Sequence, residues 1–142
     1  MFKLDKRLEK DTLFIKELKN FQIRLMNTVE FFWIVFIPNR PNLIELNDLN
    51  INERNYLMNF AIDLGQFIKY SKKYDKVNIG MIGNVVSQLH LHLVLRNKDD
   101  IAWPETVWGW KHMISVDENI FILRKKIIEN FVNDYKPYNS YI

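Results

Sequence analysis

The segment "QLHLHLVLR", residues 88–96, alternates leucine with other side chains over most of its length. A period of two predicts a β-strand, because successive side chains of a strand point to opposite faces of the sheet. One face is predicted to carry the four leucines, and the other carries Gln88, His90, His92 and Val94, with neighbours about 7 Å apart along the strand. A slip of one residue would send the histidines into the leucine-lined core, so the leucines fix the register.

Other hydrophobic patterns predict the rest of the domain. Three more strands are predicted over residues 20–27, 31–38 and 76–83, which are rich in β-branched and aromatic residues. Apolar residues at helical spacing predict an amphipathic helix of about 20 residues, with Asn50 or Asn52 as the residue that caps its start, and a later helix from Asp117. This order of elements predicts one α+β domain over residues 1–142, with an antiparallel sheet and helices packed on one face.

The composition excludes several classes of protein. The chain has no cysteine, so it can form neither a disulfide framework nor a thiolate metal site. Its longest strongly apolar run, "FFWIVFI" at residues 31–37, is far shorter than the roughly 20 residues of a membrane-spanning helix. The net charge of +3 comes from scattered Lys and Arg, which is not the pattern of a nucleic-acid-binding surface. We therefore expect a cytoplasmic protein with no membrane association and no stable nucleic-acid partner.

The paired histidines allow three interpretations. They can lie on the solvent face of a half-buried strand and have no function. They can bind a metal, which would need a further ligand, and the nearest candidates are His112, Asp99 and Asp100. They can also act in nucleophilic catalysis, in which an imidazole on a rigid strand, oriented by a polar neighbour, attacks phosphorus.

A tryptophan-rich segment, "WPETVWGW" at residues 103–110, follows the histidine strand. We expect this segment to seal the core or to form a subunit interface, because large rings contribute most of the apolar area at such places. The alternative is that Trp103 or Trp108 forms a wall of the functional site.

Several segments, in the same order along the chain, resemble the histidine triad (HIT) superfamily, in which histidines alternate with hydrophobic residues along a strand. The resemblance is greatest to the bacterial branch described as diadenosine-tetraphosphate-hydrolase-like. It is carried by "FKLDKRLEKDT", "RLMN", "FFWIVFIPNRPNLIELNDL", "VNIGMIGNVVSQLHLH" and "DDIAWPETVWG". The resemblance covers about residues 2–110, and residues 111–142 are expected to form a C-terminal helix and tail.

The resemblance implies a role for five residues. His90 is similar to the nucleophile that attacks the α-phosphorus and becomes a nucleotidyl-histidine, and His92 to the residue that hydrogen-bonds the phosphate oxygens. Asn84 corresponds to a polar position that lines the phosphate or leaving-group site. Asn27 resembles the polar residue near the ribose, and Asn78 is a further candidate for phosphate contact.

Gln88 departs from the family pattern, because it stands where the first histidine of the triad is expected. An amide can donate and accept hydrogen bonds but cannot titrate. The nucleophile and the phosphate-binding histidine both remain, so covalent catalysis is expected. Gln88 should affect the rate, the pH profile and the leaving groups that are accepted.

The resemblance implies an enzyme of the HIT type. We expect a nucleotide hydrolase or transferase whose substrate is a dinucleoside polyphosphate or a nucleoside phosphoramidate. The alternative is a nucleotide-binding or interaction protein with little turnover. No protein-bound cofactor or metal is expected, although a divalent cation can accompany a polyphosphate substrate. HIT proteins commonly pair their sheets across a two-fold axis, so a homodimer that extends the sheet is implied.

Overall fold

A five-stranded antiparallel sheet forms the centre of the computed structural model, which describes residues 1–136. The helices are α1 (Lys6–Asp11), α2 (Ile51–Lys72) and α3 (Glu118–Asp134), with short 3-10 helices at Leu46–Asp48 and Val107–Gly109. The strands are β1 (Thr12–Glu17), β2 (Phe21–Met26), β3 (Phe32–Pro38), β4 (Lys76–Gly80) and β5 (Leu91–Arg96). Their order across the sheet is β1-β2-β3-β5-β4, so the histidine strand β5 lies between β3 and the edge strand β4. The predicted α+β architecture is confirmed.

Strands β3 and β5 are buried on both faces, and the sheet therefore has two cores. On one face, the leucines of β5 pack beneath α2 and α3, together with Ile34 and Phe36 of β3. On the other face, Trp33, Val35 and Val94 pack with residues of the amino-terminal segment and of the loop after β5. The face of β5 that was predicted to be polar is therefore an enclosed one, and His92, on that face, is only 5% exposed.

The histidine strand is shorter than the sequence predicts. It begins at Leu91 instead of Gln88, and the residues before it form a loop that follows β4. Strand β4 also ends early, at Gly80 instead of residue 83, and Gly83 adopts a φ of 69° in this loop. A positive φ is favourable for glycine, which has no Cβ, and this residue lies in the loop between β4 and β5.

Helix α2 begins where the sequence predicts. Asn50 is its N-cap, and the side chains of Asn50 and Glu53 each accept a hydrogen bond from the other residue's backbone N–H. This reciprocal arrangement satisfies backbone donors that would otherwise lack a partner at the first turn. The helix ends at Lys72, and its C-cap, Lys73, has a left-handed backbone conformation with a φ of 59°.

Helix α3 also begins as predicted, with Asp117 as its N-cap. Arg124, on α3, donates hydrogen bonds to the backbone carbonyls of Thr28 and Val29 at 2.7 and 2.8 Å. These contacts fix α3 to the loop between β2 and β3. Residues 137–142 of the predicted tail lie outside the described residues.

Two amino-terminal elements, α1 and β1, were not predicted. Strand β1 pairs with β2, but its register shifts between Phe14 and Lys16, which marks a β-bulge. The buried positions of β1, Thr12 and Ile15, are consequently three residues apart, and the strand lacks a period of two. Within residues 1–136, no helix is both long enough and apolar enough to cross a membrane.

Candidate active site

A cavity of about 300 Å³ lies at the amino-terminal end of β5, on the face of the sheet opposite α2. His90, His92 and Asn84 line it together. Its other walls come from α1, from the loop between β4 and β5, and from the aromatic rings of Trp33 and Trp108. The fold therefore brings the two histidines together in one partly open cavity.

His90 is positioned by the backbone immediately before it. Its Nδ1 lies 2.6 Å from the carbonyl oxygen of Gln88, and the residue is only 8% exposed. Because a carbonyl can only accept, Nδ1 must carry the proton and donate it. In the neutral ring the lone pair then lies on Nε2, which is the arrangement that a nucleophilic imidazole requires.

His92 has the opposite arrangement. The indole Nε1–H of Trp33 donates a hydrogen bond to His92 Nδ1 at 2.9 Å, so Nδ1 must be unprotonated. In the neutral ring the proton is then on Nε2, which can donate to a phosphate oxygen. Burial, and to a smaller extent the neighbouring His90, lower the pKa of His92 from 6.5 to about 3. His92 is therefore a neutral donor throughout the physiological pH range.

Aromatic rings surround His92 on several sides. Its ring centroid lies 5.5 Å from that of Trp33, 5.6 Å from that of Trp108 and 4.8 Å from that of His90. A Cβ at Gly80 would approach the Trp108 ring to 3.1 Å, so this glycine permits the close contact between β4 and the indole. Trp108 thus forms a wall of the site, which was the less favoured of the two expectations for the tryptophan segment.

Asn78 lies outside the cavity. Its Oδ1 accepts a hydrogen bond from Arg96 Nη1 at 3.0 Å, and Arg96 also forms a buried salt bridge with Asp100 at 2.6 Å. Trp103 packs against the same guanidinium, 5.6 Å from its ring centroid. Asn78 therefore belongs to a structural cluster around Arg96, and its position does not support the predicted contact with phosphate.

Asn27 also lies outside the cavity, although its neighbour Met26 lines it. The Asn27 side chain accepts a hydrogen bond from the backbone N–H of Val116 at 3.1 Å, and its Nδ2 lies 3.4 Å from the Ser115 hydroxyl. These contacts fasten the segment before α3. A ribose would have to displace them to reach the Asn27 amide.

Gln88 does not line the cavity that contains His92. Its Oε1 accepts a hydrogen bond from the backbone N–H of Asp5, and its Nε2 donates to the carbonyl of Lys3, both at 2.9 Å. The Gln88 side chain borders a neighbouring cavity of about 230 Å³, which His90 and Asn84 also line. The position that aligns with the first triad histidine therefore contributes its carbonyl to His90 and its amide to the amino-terminal segment.

The residues considered as metal ligands are dispersed. Asp100 is paired with Arg96, and His112 is exposed, with its ring against that of Trp110. Within residues 1–136, no group of three or more His, Asp or Glu side chains lies close enough together to hold a metal ion.

Sequence reasoning missed Trp33 and Arg7, which both line the cavity. Trp33 lies in a run of apolar residues on β3, and only the pairing of β3 with β5 places it beside His92. Arg7 lies on α1, which was not predicted, and it lines the cavity. No spacing in the sequence connects either residue to the histidines.

Comparison with known proteins identifies the family. The model of the HIT domain family matches residues 7–99. A histidine triad protein from Sinorhizobium meliloti is 32% identical, with a TM-score of 0.86, and the match covers 91% of this chain and 96% of that protein. One from Marinobacter aquaeolei is 28% identical, with a TM-score of 0.89 and coverage of 96% and 99%.

A more distant structure shares the fold alone. A diadenosine triphosphate hydrolase from Plasmodium falciparum is 18% identical, with a TM-score of 0.57, and the match covers 94% of this chain and 82% of that one. No curated protein sequence matches the chain. The family model covers most of the domain, including all five strands and the paired histidines, and the chain therefore belongs to the HIT domain family.

Proposed function

We propose that this protein hydrolyses or transfers nucleoside monophosphate groups by attack of His90 Nε2 on the α-phosphorus of a nucleoside phosphate conjugate. HIT domain proteins are generally nucleotide hydrolases and transferases that bind nucleotide substrates. The observation that carries the proposal is the complementary protonation of the two imidazoles. One presents a lone pair to the cavity and the other presents an N–H, as in-line attack on a phosphate requires.

The reaction has two steps. The His90 Nε2 lone pair forms a bond to phosphorus, and the bond from phosphorus to the leaving group breaks with its electron pair on the leaving group. The positive charge that develops on the His90 ring is stabilised by the Gln88 carbonyl, which accepts the Nδ1 proton at 2.6 Å. Water then attacks the phosphorus of the nucleotidyl-histidine and loses a proton to solvent, while the P–Nε2 bond breaks with its electron pair on Nε2. This step releases the nucleoside monophosphate and restores neutral His90. The scheme draws no chemistry from a protein-bound metal, and a divalent ion would enter with the polyphosphate.

Single-turnover labelling tests this mechanism. The protein is mixed with a dinucleoside polyphosphate labelled at the α-phosphorus and quenched in alkali, in which phosphohistidine bonds survive. We expect label on the wild-type chain and on His112→Asn, which removes an exposed histidine remote from the cavity. His90→Asn should carry no label and lose turnover, while it binds nucleotide within about tenfold of wild type. Turnover near the wild-type rate in His90→Asn would refute the covalent mechanism.

A nucleotide-binding protein with little turnover is the alternative, and one observation favours it. Gln88 cannot supply a titratable proton to the leaving group, and both ends of its amide are already bonded to residues 3 and 5. The same experiment distinguishes the two functions. Labelling of His90 that is not followed by release of nucleoside monophosphate on addition of excess substrate would favour the binding protein.

We also propose a homodimer. Within residues 1–136, strand β4 pairs with β5 alone, so its other edge leaves backbone N–H and C=O groups available for a strand of a second copy. Sedimentation over a series of protein concentrations tests this proposal, and a monomer at every concentration would exclude it.

A further inference from the structure

The amino-terminal segment forms one wall of the cavity that contains the histidines. Leu8 of α1 is buried in the second core, which docks this short helix against the sheet. Arg7 and Asp11, on either side of Leu8, both line the cavity with His90 and His92. The segment therefore contributes charged groups to a site whose other walls are mostly apolar.

Arg7 is an unpaired cation at this site. It is exposed, and within residues 1–136 its side chain makes no hydrogen bond or salt bridge. Arg7 and Asp11 are four residues apart, a spacing at which helical ion pairs form, yet no salt bridge joins them in the described chain. No other Lys or Arg lines this cavity. A guanidinium that is left free in a largely apolar cavity is available to a ligand of opposite charge.

The charge of the two candidate substrate classes differs. A nucleoside phosphoramidate has a single phosphate, for which His92 Nε2–H is a donor. A dinucleoside polyphosphate carries at least one further phosphate, and each adds negative charge that a neutral imidazole cannot balance. A guanidinium recognises phosphate oxygens with paired, charge-assisted N–H donors. Arg7 therefore provides the positive charge and the N–H donors that the longer phosphate chain needs. A nucleoside phosphoramidate does not need them.

We propose that Arg7 binds the phosphates beyond the α-phosphate and makes dinucleoside polyphosphates the preferred substrates. The proposal rests on the function proposed above, since it assigns the substrate class of the same site. Arg7 binds these phosphates and balances the negative charge of the leaving group, whereas His90 forms the covalent bond to phosphorus.

Gln88 positions Arg7. Its amide bonds to the backbone of Lys3 and Asp5, and the Asp5 side chain in turn accepts a hydrogen bond from the backbone N–H of Arg7 at 2.7 Å. Asp5 is the N-cap of α1, so this chain of contacts fixes the start of the helix that carries the guanidinium. The glutamine at the first triad position thus connects the nucleophile's loop to the phosphate-binding arginine.

The test compares Arg7→Gln with wild type on two substrates, a dinucleoside tetraphosphate and a nucleoside phosphoramidate. Loss of a charge-assisted contact should lower kcat/KM for the tetraphosphate by about 10- to 100-fold. The phosphoramidate should lose less than about threefold, because only its single phosphate is bound. Lys10→Gln is the matched control, since it removes an exposed cation from the same helix that does not line the cavity. It should affect neither substrate.

The ratio of kcat/KM for the tetraphosphate to kcat/KM for the phosphoramidate also tests the positioning role of Gln88. Gln88→Leu should lower the preference for the tetraphosphate over the phosphoramidate, whereas a merely structural defect would lower both activities equally. Equal losses for the two substrates in Gln88→Leu would refute the positioning role. Equal losses in Arg7→Gln, or no loss, would refute the assignment of Arg7.

Binding of inorganic tripolyphosphate separates this inference from the proposed reaction. Titration calorimetry should show binding to wild type and to His90→Asn, and at least about tenfold weaker binding to Arg7→Gln. If His90 is not labelled but Arg7→Gln binds tripolyphosphate more weakly than wild type, the proposed reaction is refuted and the phosphate site is supported. Absent binding to wild type, or equal binding to Arg7→Gln, overturns the phosphate site itself.

Discussion

Mild acid should lower the free energy of unfolding of this protein through His92. At the same pH, protonation of Asp and Glu side chains should contribute little to that change. The folded protein keeps His92 neutral, because burial lowers its pKa to about 3, whereas the unfolded chain protonates it below pH 6.5. The unfolded state therefore binds more protons than the folded state between these two pH values. The stability that neutral His92 contributes is fully present above pH 6.5 and is lost as the pH falls towards 3.

The magnitude follows from the two pKa values. Between pH 7 and pH 5 the difference in proton binding should lower the free energy of unfolding by about 2 kcal/mol. Asp and Glu side chains of an unfolded chain titrate near pH 3.9 and 4.3, so their contribution lies mostly below this window. The expected change is large against a typical stability of about 5–15 kcal/mol.

Urea denaturation at a series of pH values between 7 and 5 measures this effect, with tryptophan fluorescence as the signal. The comparison is His92→Asn, whose amide oxygen can take the place of Nδ1 as acceptor for Trp33 but cannot titrate. Its free energy of unfolding should change with pH by about 2 kcal/mol less than that of wild type. His112→Asn, which removes an exposed histidine, should retain the wild-type pH dependence. Equal pH dependence in wild type and His92→Asn would refute the neutral, buried state of His92.

Two further substitutions test the packing around the site. Leu91→Ala, at a fully buried position beneath the helices, should lower the free energy of unfolding by about 2–5 kcal/mol, while the folded fraction retains its labelling of His90. A mutant of unchanged stability would mean that this face of β5 is not core. Arg124→Met should cost about 2–4 kcal/mol, because two backbone carbonyls lose charge-assisted hydrogen bonds, whereas the exposed Lys126→Met on the same helix should cost less than about 0.5 kcal/mol. Equal denaturation midpoints for these two variants would contradict the role given to Arg124.

Local patterns in the sequence determined most of the architecture. The capping residues Asn50 and Asp117 act within one turn of their own helices, so the beginnings of α2 and α3 could be predicted. The alternating leucines of β5 placed one face in the core, and the HxH spacing placed both imidazoles on the other. Phe67 shows the limit of such periodicity, since its helical spacing places it with the apolar residues of α2, yet it is 40% exposed.

The tertiary structure alone decided how the site is assembled. The protonation of His92 depends on Trp33, which lies 59 positions away in the chain and reaches the imidazole only through the pairing of β3 with β5. Gln88 bonds to residues more than 80 positions earlier, and the docking of α1 brings Arg7 to the cavity. Hydrogen-bond partners and burial depend on long-range contacts that carry no period along the chain. The sequence by itself therefore determined which residue types could perform the chemistry, while the fold decided their protonation, their partners and their access to substrate.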